Sequence, residues 1–150
     1  NVIALGSLIC RYDHIVFATK RREPVLTKDL RNVIFEAIKT IVKQTGLSVV
    51  AINGVSDHVH ILLRMDQKHI LSDVVRDIKR SSSSLIRKMT GQHFQWQRHY
   101  AAFSVSATGV QSVIRYINNQ QHHHNEVDAL GELNKFAQLA GEKLPYDLLE

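Results

Sequence analysis

Cysteine is nearly missing from this chain: Cys10 stands alone among 150 residues. A single thiol excludes an internal disulfide and a cysteine-built zinc site, and it fits a reducing compartment, so a cytoplasmic protein is expected. Also missing is any apolar run near the roughly 20 residues of a membrane-spanning helix, and no membrane partner is expected. The opening NVIALGSLIC has neither a basic leader nor a cleavage site, so an artificial boundary or a processed end is expected rather than a secretory signal. No repeat or low-complexity segment divides the sequence, and this length predicts one domain over residues 1–150. Acidic residues are the minority, 14 against 19 Lys plus Arg, for a formal charge of +5. That balance favours a polyanionic partner without identifying one.

What is present is a readable order of elements. Leu8 to Thr19 mixes β-branched, aromatic and polar residues in partial alternation, predicting a first strand that ends in the charged KRREP turn. From Lys28 to Thr45 the apolar residues Leu30, Val33, Ile34, Ala37, Ile38, Ile41 and Val42 recur at helical spacing, and Gly46 follows as a helix stop. Leu47 to Val55 and Asp57 to Met65 read as a hairpin. Leu71 to Met89 reads as a second helix closed by Gly91, with a basic stripe of Arg76, Lys79, Arg80 and Arg87. FQWQ (94–97) and AAFSVS (101–106) read as short strands, followed by a helix from about Thr108 and a terminal helix within Ala129 to Leu139. The order β, α, β, β, α, β, β, α predicts an α+β fold: a ferredoxin-like split βαβ arrangement, with an antiparallel sheet and helices packed on one face.

Within the second hairpin strand, side chains alternate, so His58 and His60 share one face while Val59, Ile61 and Leu63 share the other. Two same-face imidazoles can offer nitrogens to one divalent cation, although so short a pattern also arises among ordinary strand histidines. Tyr116 and Gln120 are four apart in RYINNQ and fall on one helical stripe. A phenol next to a cation site can attack phosphorus if a Lewis acid absorbs the developing charge, and the resulting phosphotyrosine would conserve the phosphodiester energy without a nucleotide cofactor. Hard phosphate oxygens suit Mg2+ or Mn2+. Asp57 is a candidate partner for an imidazole, or simply a turn residue.

The stretches DHIVFATKRREPVL, VVAINGVSDHVHILL, DIKRSSSSLIRK, FQWQRHYAAFSVS and VIRYINNQQHHH resemble, in the same order, the HUH superfamily and within it the single-tyrosine, IS200-like transposases of bacterial insertion sequences. The likeness runs from about Leu8 to His124. It implies that His58, His60 and Gln120 ligate the metal and that Tyr116 is the nucleophile. It further implies single-stranded DNA with hairpin ends as substrate, a 5′-phosphotyrosine intermediate, and a homodimer with shared active sites in a bacterial or archaeal, nucleoid-associated setting. The run His122, His123 and His124 exceeds the family pattern and offers further ligands or a solvated surface. Two other readings share the fold: a host-retained, noncatalytic hairpin-binding relative, and a replication initiator or relaxase-type nicking enzyme.

The basic stripe on the second helix, with Lys20, Arg21 and Arg22, is the candidate phosphate-binding surface; a solvated helix face gives the same pattern. Ser81 to Ser84 offer hydroxyls to a DNA backbone or small residues for close packing. Trp96 and Tyr100 are candidates for stacking on bases, with core packing the stronger expectation for Trp96. Tyr12 and Tyr146 rank below Tyr116 as nucleophiles because neither has a glutamine at helical spacing.

Overall fold

The computed structural model describes residues 6–123 and 128–148, with only the backbone of residue 123. Four strands, β1 (Arg11–Ala18), β2 (Ser48–Gly54), β3 (His58–Met65) and β4 (Ala101–Val105), form one sheet in the order β2-β3-β1-β4. Every neighbouring pair is antiparallel. The helices are α1 (Lys28–Gln44), α2 (Leu71–Thr90), α3 (Val110–Asn118), α4 (Gln120–His123) and α5 (Ala129–Leu139). Short 3-10 turns occupy Lys20–Arg22 and Ala107–Gly109.

The two long helices end where their sequences provide caps. Thr27 accepts the Leu30 N–H at 3.3 Å to start α1, and Gly91 takes the left-handed conformation (φ 66°) that closes α2. Leu30, Ile34, Ile38 and Val42 from α1, with Val74, Val75, Ile78 and Ile86 from α2, bury against Ile15, Phe17, Val59, Ile61 and Leu63. Enclosing each of these larger aliphatic side chains contributes about 1.5–3 kcal/mol, and this layer is the main core.

These helices lie on one face, as the split βαβ reading expects. The alternation of β1 and β3 turns His14, Val16, Ala18, His58, His60 and Leu62 to the opposite face. There Leu62 packs with Val110 and Ile117 of α3, and Val16 and Ala18 pack with Ala129 and Leu133 of α5. The histidine face is therefore covered by the C-terminal helices, and β3 is enclosed on both sides.

FQWQ does not become a sheet strand. The edge of β1 from Tyr12 to Val16 is taken by β4, and only the bridge Thr19↔Trp96 forms beyond it. The segment instead inserts the Trp96 ring edge-on against Phe17 and Phe94, with Nε1 donating to the buried Ser82 hydroxyl at 2.9 Å. Trp96 is a core residue, as the sequence favours, and the serine run contributes one of its members to that core. The helix expected through RYINNQQHHH breaks at Asn119 (φ −99°, ψ 20°), which separates α3 from α4.

Candidate active site

Tyr116 on α3 approaches the imidazoles of β3 within a single chain, and Gln120 on α4 hydrogen-bonds the Tyr116 side chain. His58 and His60 are 1% and 0% exposed, Gln120 is fully buried, and the Tyr116 ring lies 5.8 Å from that of His60. His58 Nδ1 donates to Asp57 Oδ1 at 2.7 Å, which leaves Nε2 to carry the lone pair. Asp57 thus takes the orienting role open to it in the sequence.

Glu132 on α5, absent from the sequence-derived site, is the third donor against this pair. Its Oε1 lies 2.5 Å from His60 Nε2 and 4.0 Å from His58 Nε2. The ligand atoms of His58, His60 and Glu132 all fall within 4.8 Å of one another, and all three side chains are buried. Two imidazole nitrogens and a carboxylate form a donor set for a divalent cation. The residues present therefore fit the metal expected from the sequence.

His14 on β1 is a second residue the sequence reading did not select. Its Nε2 lies 2.8 Å from His60 Nδ1, and burial pushes its pKa down to about 3, with the neighbouring His60 adding to the effect. With His60 Nε2 occupied by a cation, its Nδ1 would carry the proton, and the neutral His14 ring would accept it at Nε2 and so fix the His60 ring. The alternation of β1 placed His14 on the same face as Val16 and Ala18, but nothing in the sequence told which strand would lie beside β3.

The Tyr116 phenol is held well above its ordinary pKa, first by burial and then by the charge and hydrogen bond of Glu132; a hydrogen bond from Gln120 opposes this. Gln120 Nε2 also reaches the Tyr116 carbonyl at 3.4 Å. His14 and Phe136 complete the aromatic wall, with centroids 6.2 and 5.3 Å from the Tyr116 ring. The α3–α4 corner is fastened to β2 by Asn53, whose Nδ2 donates to the carbonyls of Ile117 and Asn118 at 3.0 and 3.2 Å. Gln121 returns Nε2 to Asn53 Oδ1 at 2.9 Å and to the Gly54 carbonyl at 3.0 Å.

The basic residues are divided between structure and surface. Lys79 donates to the Gln97 and His99 carbonyls at 3.0 and 2.7 Å, and burial lowers its pKa to about 8. Arg87 donates to the Phe94 carbonyl at 3.1 Å, so both side chains tie down the 94–99 segment. Arg76 pairs with Asp73 and Asp77, and Arg80 is exposed. Because α2 packs on the face of the sheet away from the histidines, a strand touching both must pass around an edge. Lys20, Arg21 and Arg22 are exposed at the end of β1, where such a path would turn.

His122 is exposed; the His123 side chain and His124 lie outside the described residues. Tyr146 is 92% exposed, and Tyr12 sits under the Arg64 guanidinium, 5.9 Å from its ring centroid. Tyr100 packs beside the Lys79 ammonium.

Comparison with known proteins gives the geometry a context. A family model described as "Transposase IS200 like" matches residues 9–120. The chain is 26% identical over 115 residues to the ISDra2 transposase TnpA of Deinococcus radiodurans, covering 71% of this chain and 81% of that protein. A crystal structure described as a transposase from Deinococcus radiodurans R1 superposes with a TM-score of 0.64 at 25% identity, over 80% of this chain and 98% of the other. The structure of a REP-associated tyrosine transposase bound to a REP hairpin shares the fold, with a TM-score of 0.61 at 15% identity over 100% of this chain and 92% of that one.

Proposed function

Since the chain belongs to the IS200-like transposase family, we propose that it cleaves and rejoins single-stranded DNA by attack of Tyr116 on a phosphodiester, through a 5′-phosphotyrosine. The observation that carries this reading is the convergence of one phenol with two imidazoles and a carboxylate in a buried site of one chain. A divalent cation, Mg2+ or Mn2+, held by His58, His60 and Glu132 would supply Lewis-acid polarisation of a non-bridging phosphate oxygen. Gln120, implied as a ligand by the resemblance, bonds the Tyr116 side chain and is assigned here to holding the phenol.

The remaining steps belong to the protein's own groups. Asp57 fixes the His58 ring, and His14 fixes that of His60. Tyr116 oxygen forms a bond to phosphorus as the bond from phosphorus to the 3′-oxygen breaks, and in balance the proton lost by the phenol is taken up by the leaving oxygen, which becomes a free 3′-hydroxyl. A 3′-hydroxyl of a second strand can later attack the phosphotyrosine and release the phenol, which conserves the number of phosphodiester bonds. The hairpin named for the structural relative supports a hairpin-ended strand as substrate.

The test incubates the protein with labelled, hairpin-bearing single-stranded DNA, with and without Mg2+ or Mn2+. The expected product is a denaturation-resistant protein–DNA adduct that requires the cation. Hairpin binding with no adduct under any of these conditions would instead favour the noncatalytic relative.

The shared-site homodimer implied by the resemblance can be set against a cis arrangement, in which Tyr116 serves the histidines of its own chain. The seating of α3 against β2 through Asn53 and Gln121 supports the cis arrangement. Mixing Tyr116→Phe with His60→Ala protein separates the two: no adduct is expected above that of either variant alone, whereas restored adduct formation would establish shared sites.

Asn53 is a positioning residue in this scheme. Asn53→Ala is expected to slow adduct formation about 10- to 100-fold, the scale of a displacement near 1 Å at a reacting group. Hairpin affinity should stay within about twofold, since phosphate contacts that dominate affinity are made elsewhere. Single-turnover rates measured beside equilibrium binding check this split, and an unchanged rate would remove Asn53 from the assignment.

A further inference from the structure

A cavity on the side of the sheet covered by α1 and α2 has no role in this scheme. It has a volume of about 290 Å3 and lies between the Lys20–Arg22 turn, the first turns of α1, the last turns of α2 and residues 92–95. Its floor includes Leu30, Ile86 and Phe94, all buried, and its polar lining includes Lys20, Arg21, Glu23 and Gln95. The Lys20 ammonium crosses the rim to Gln95 Oε1 at 2.9 Å.

The rim has an unusual backbone. Arg21 and Arg22 have φ values of 58° and 55°, a left-handed conformation that non-glycine residues adopt at a cost of order 1–2 kcal/mol each. The turn is kept by Arg22 N–H donating to the Thr19 carbonyl at 2.9 Å and by Lys20 N–H donating to the Gln95 carbonyl at 3.0 Å. Arg21 is thereby held at the cavity mouth by a fixed main chain.

The cavity also adjoins the reacting centre along the backbone. Thr19 lines it, and the Thr19 N–H donates to the Asp57 carbonyl at 2.8 Å, while the Asp57 carboxylate holds His58 at 2.7 Å. A strand running from the histidines round the end of β1 and β3 would reach this mouth next.

An apolar floor bordered by amide, carboxylate and cationic groups matches a planar heteroaromatic ring whose edges donate and accept hydrogen bonds, joined to a phosphate. Sites for drug-sized ligands begin near 300 Å3, so this one has room for one base rather than a stacked run. We infer that the cavity takes a single unpaired base of the DNA strand next to the scissile phosphate, with Arg21 and Lys20 at its phosphate. This rests on the single-stranded DNA reading above and adds to it a base site supplied by the protein.

The experiment is an abasic scan. Single-stranded tails on a fixed hairpin are made with one base removed at each position in turn, and affinity is measured for each. One position should lose roughly tenfold or more in affinity on base removal, the scale of a seated base, while the others change little. Thr90→Trp, which places a bulky ring from an exposed site on the cavity wall, should abolish that one-position dependence. In unmodified protein, 2-aminopurine should change emission on binding most strongly at the same position.

A flat scan in the unmodified protein would overturn the base site, as would a Thr90→Trp scan identical to it. Adduct formation scored in parallel keeps the two readings distinct. A flat scan with a normal adduct rejects the base site alone, and a peaked scan without adduct rejects the transesterification alone.

Discussion

Tyr116→Phe is expected to form no covalent adduct with single-stranded DNA, a loss of at least about 10^4-fold, in line with removal of a nucleophile elsewhere. The substitution is a clean one because the ring's contacts survive it. Phenylalanine can keep the packing against His60, His14 and Phe136, and the neighbouring Ile117 remains enclosed. What disappears is the hydroxyl and its hydrogen bonds with Glu132 and Gln120. Leaving those buried partners with one contact fewer costs about 1–3 kcal/mol, a change that thermal unfolding will register without loss of the fold. Hairpin affinity should remain within about twofold. Tyr146→Phe, at an exposed position, should leave the adduct unchanged and serves as the control. Denaturing gels with end-labelled DNA read both results, and an adduct of equal strength from Tyr116→Phe would transfer the nucleophile to another residue.

The parts of this site that can be read from sequence are those set by local periodicity. Strand alternation alone puts His58 and His60 together and away from Val59, Ile61 and Leu63, and helical spacing puts Gln120 one turn beyond Tyr116. The ordered resemblance joins the two halves, and the family match over residues 9–120 agrees with it. Glu132 lies past that match, on a short terminal helix whose weak pattern gives no sign of the strand it will cover. A lone glutamate beside Leu133 reads as a solvated residue until α5 docks. His14 depends on β1 lying next to β3, a non-local pairing that no spacing encodes. The basic stripe shows the reverse problem. Its periodicity is plain, but the carbonyls that take up Lys79 and Arg87 belong to a segment some 7 to 20 residues away. The alternation of FQWQ suits a strand, whereas the free length of the β1 edge decides whether one can form.

Glu132→Ala carries the second large expectation. In the proposed site the carboxylate is the anionic donor beside two imidazoles, and its Oε1 lies 2.5 Å from His60 Nε2 and 4.0 Å from His58 Nε2. Removing it should weaken Mn2+ binding at least about 100-fold, since loss of groups one shell further out already costs 10- to 100-fold. Adduct formation should fall in parallel and recover in part at high Mn2+ concentration. Glu132→Gln separates charge from shape: it retains a donor oxygen and the packing of α5 but gives up the negative charge, so an intermediate affinity is expected. Titration with a competing fluorescent chelator measures all three proteins. A different result has an equally definite meaning. If Mn2+ affinity rises in Glu132→Ala, the carboxylate competes with the cation for His58 and His60. The third position would then revert to Gln120, on a turn that Asn53 and Gln121 already hold in place.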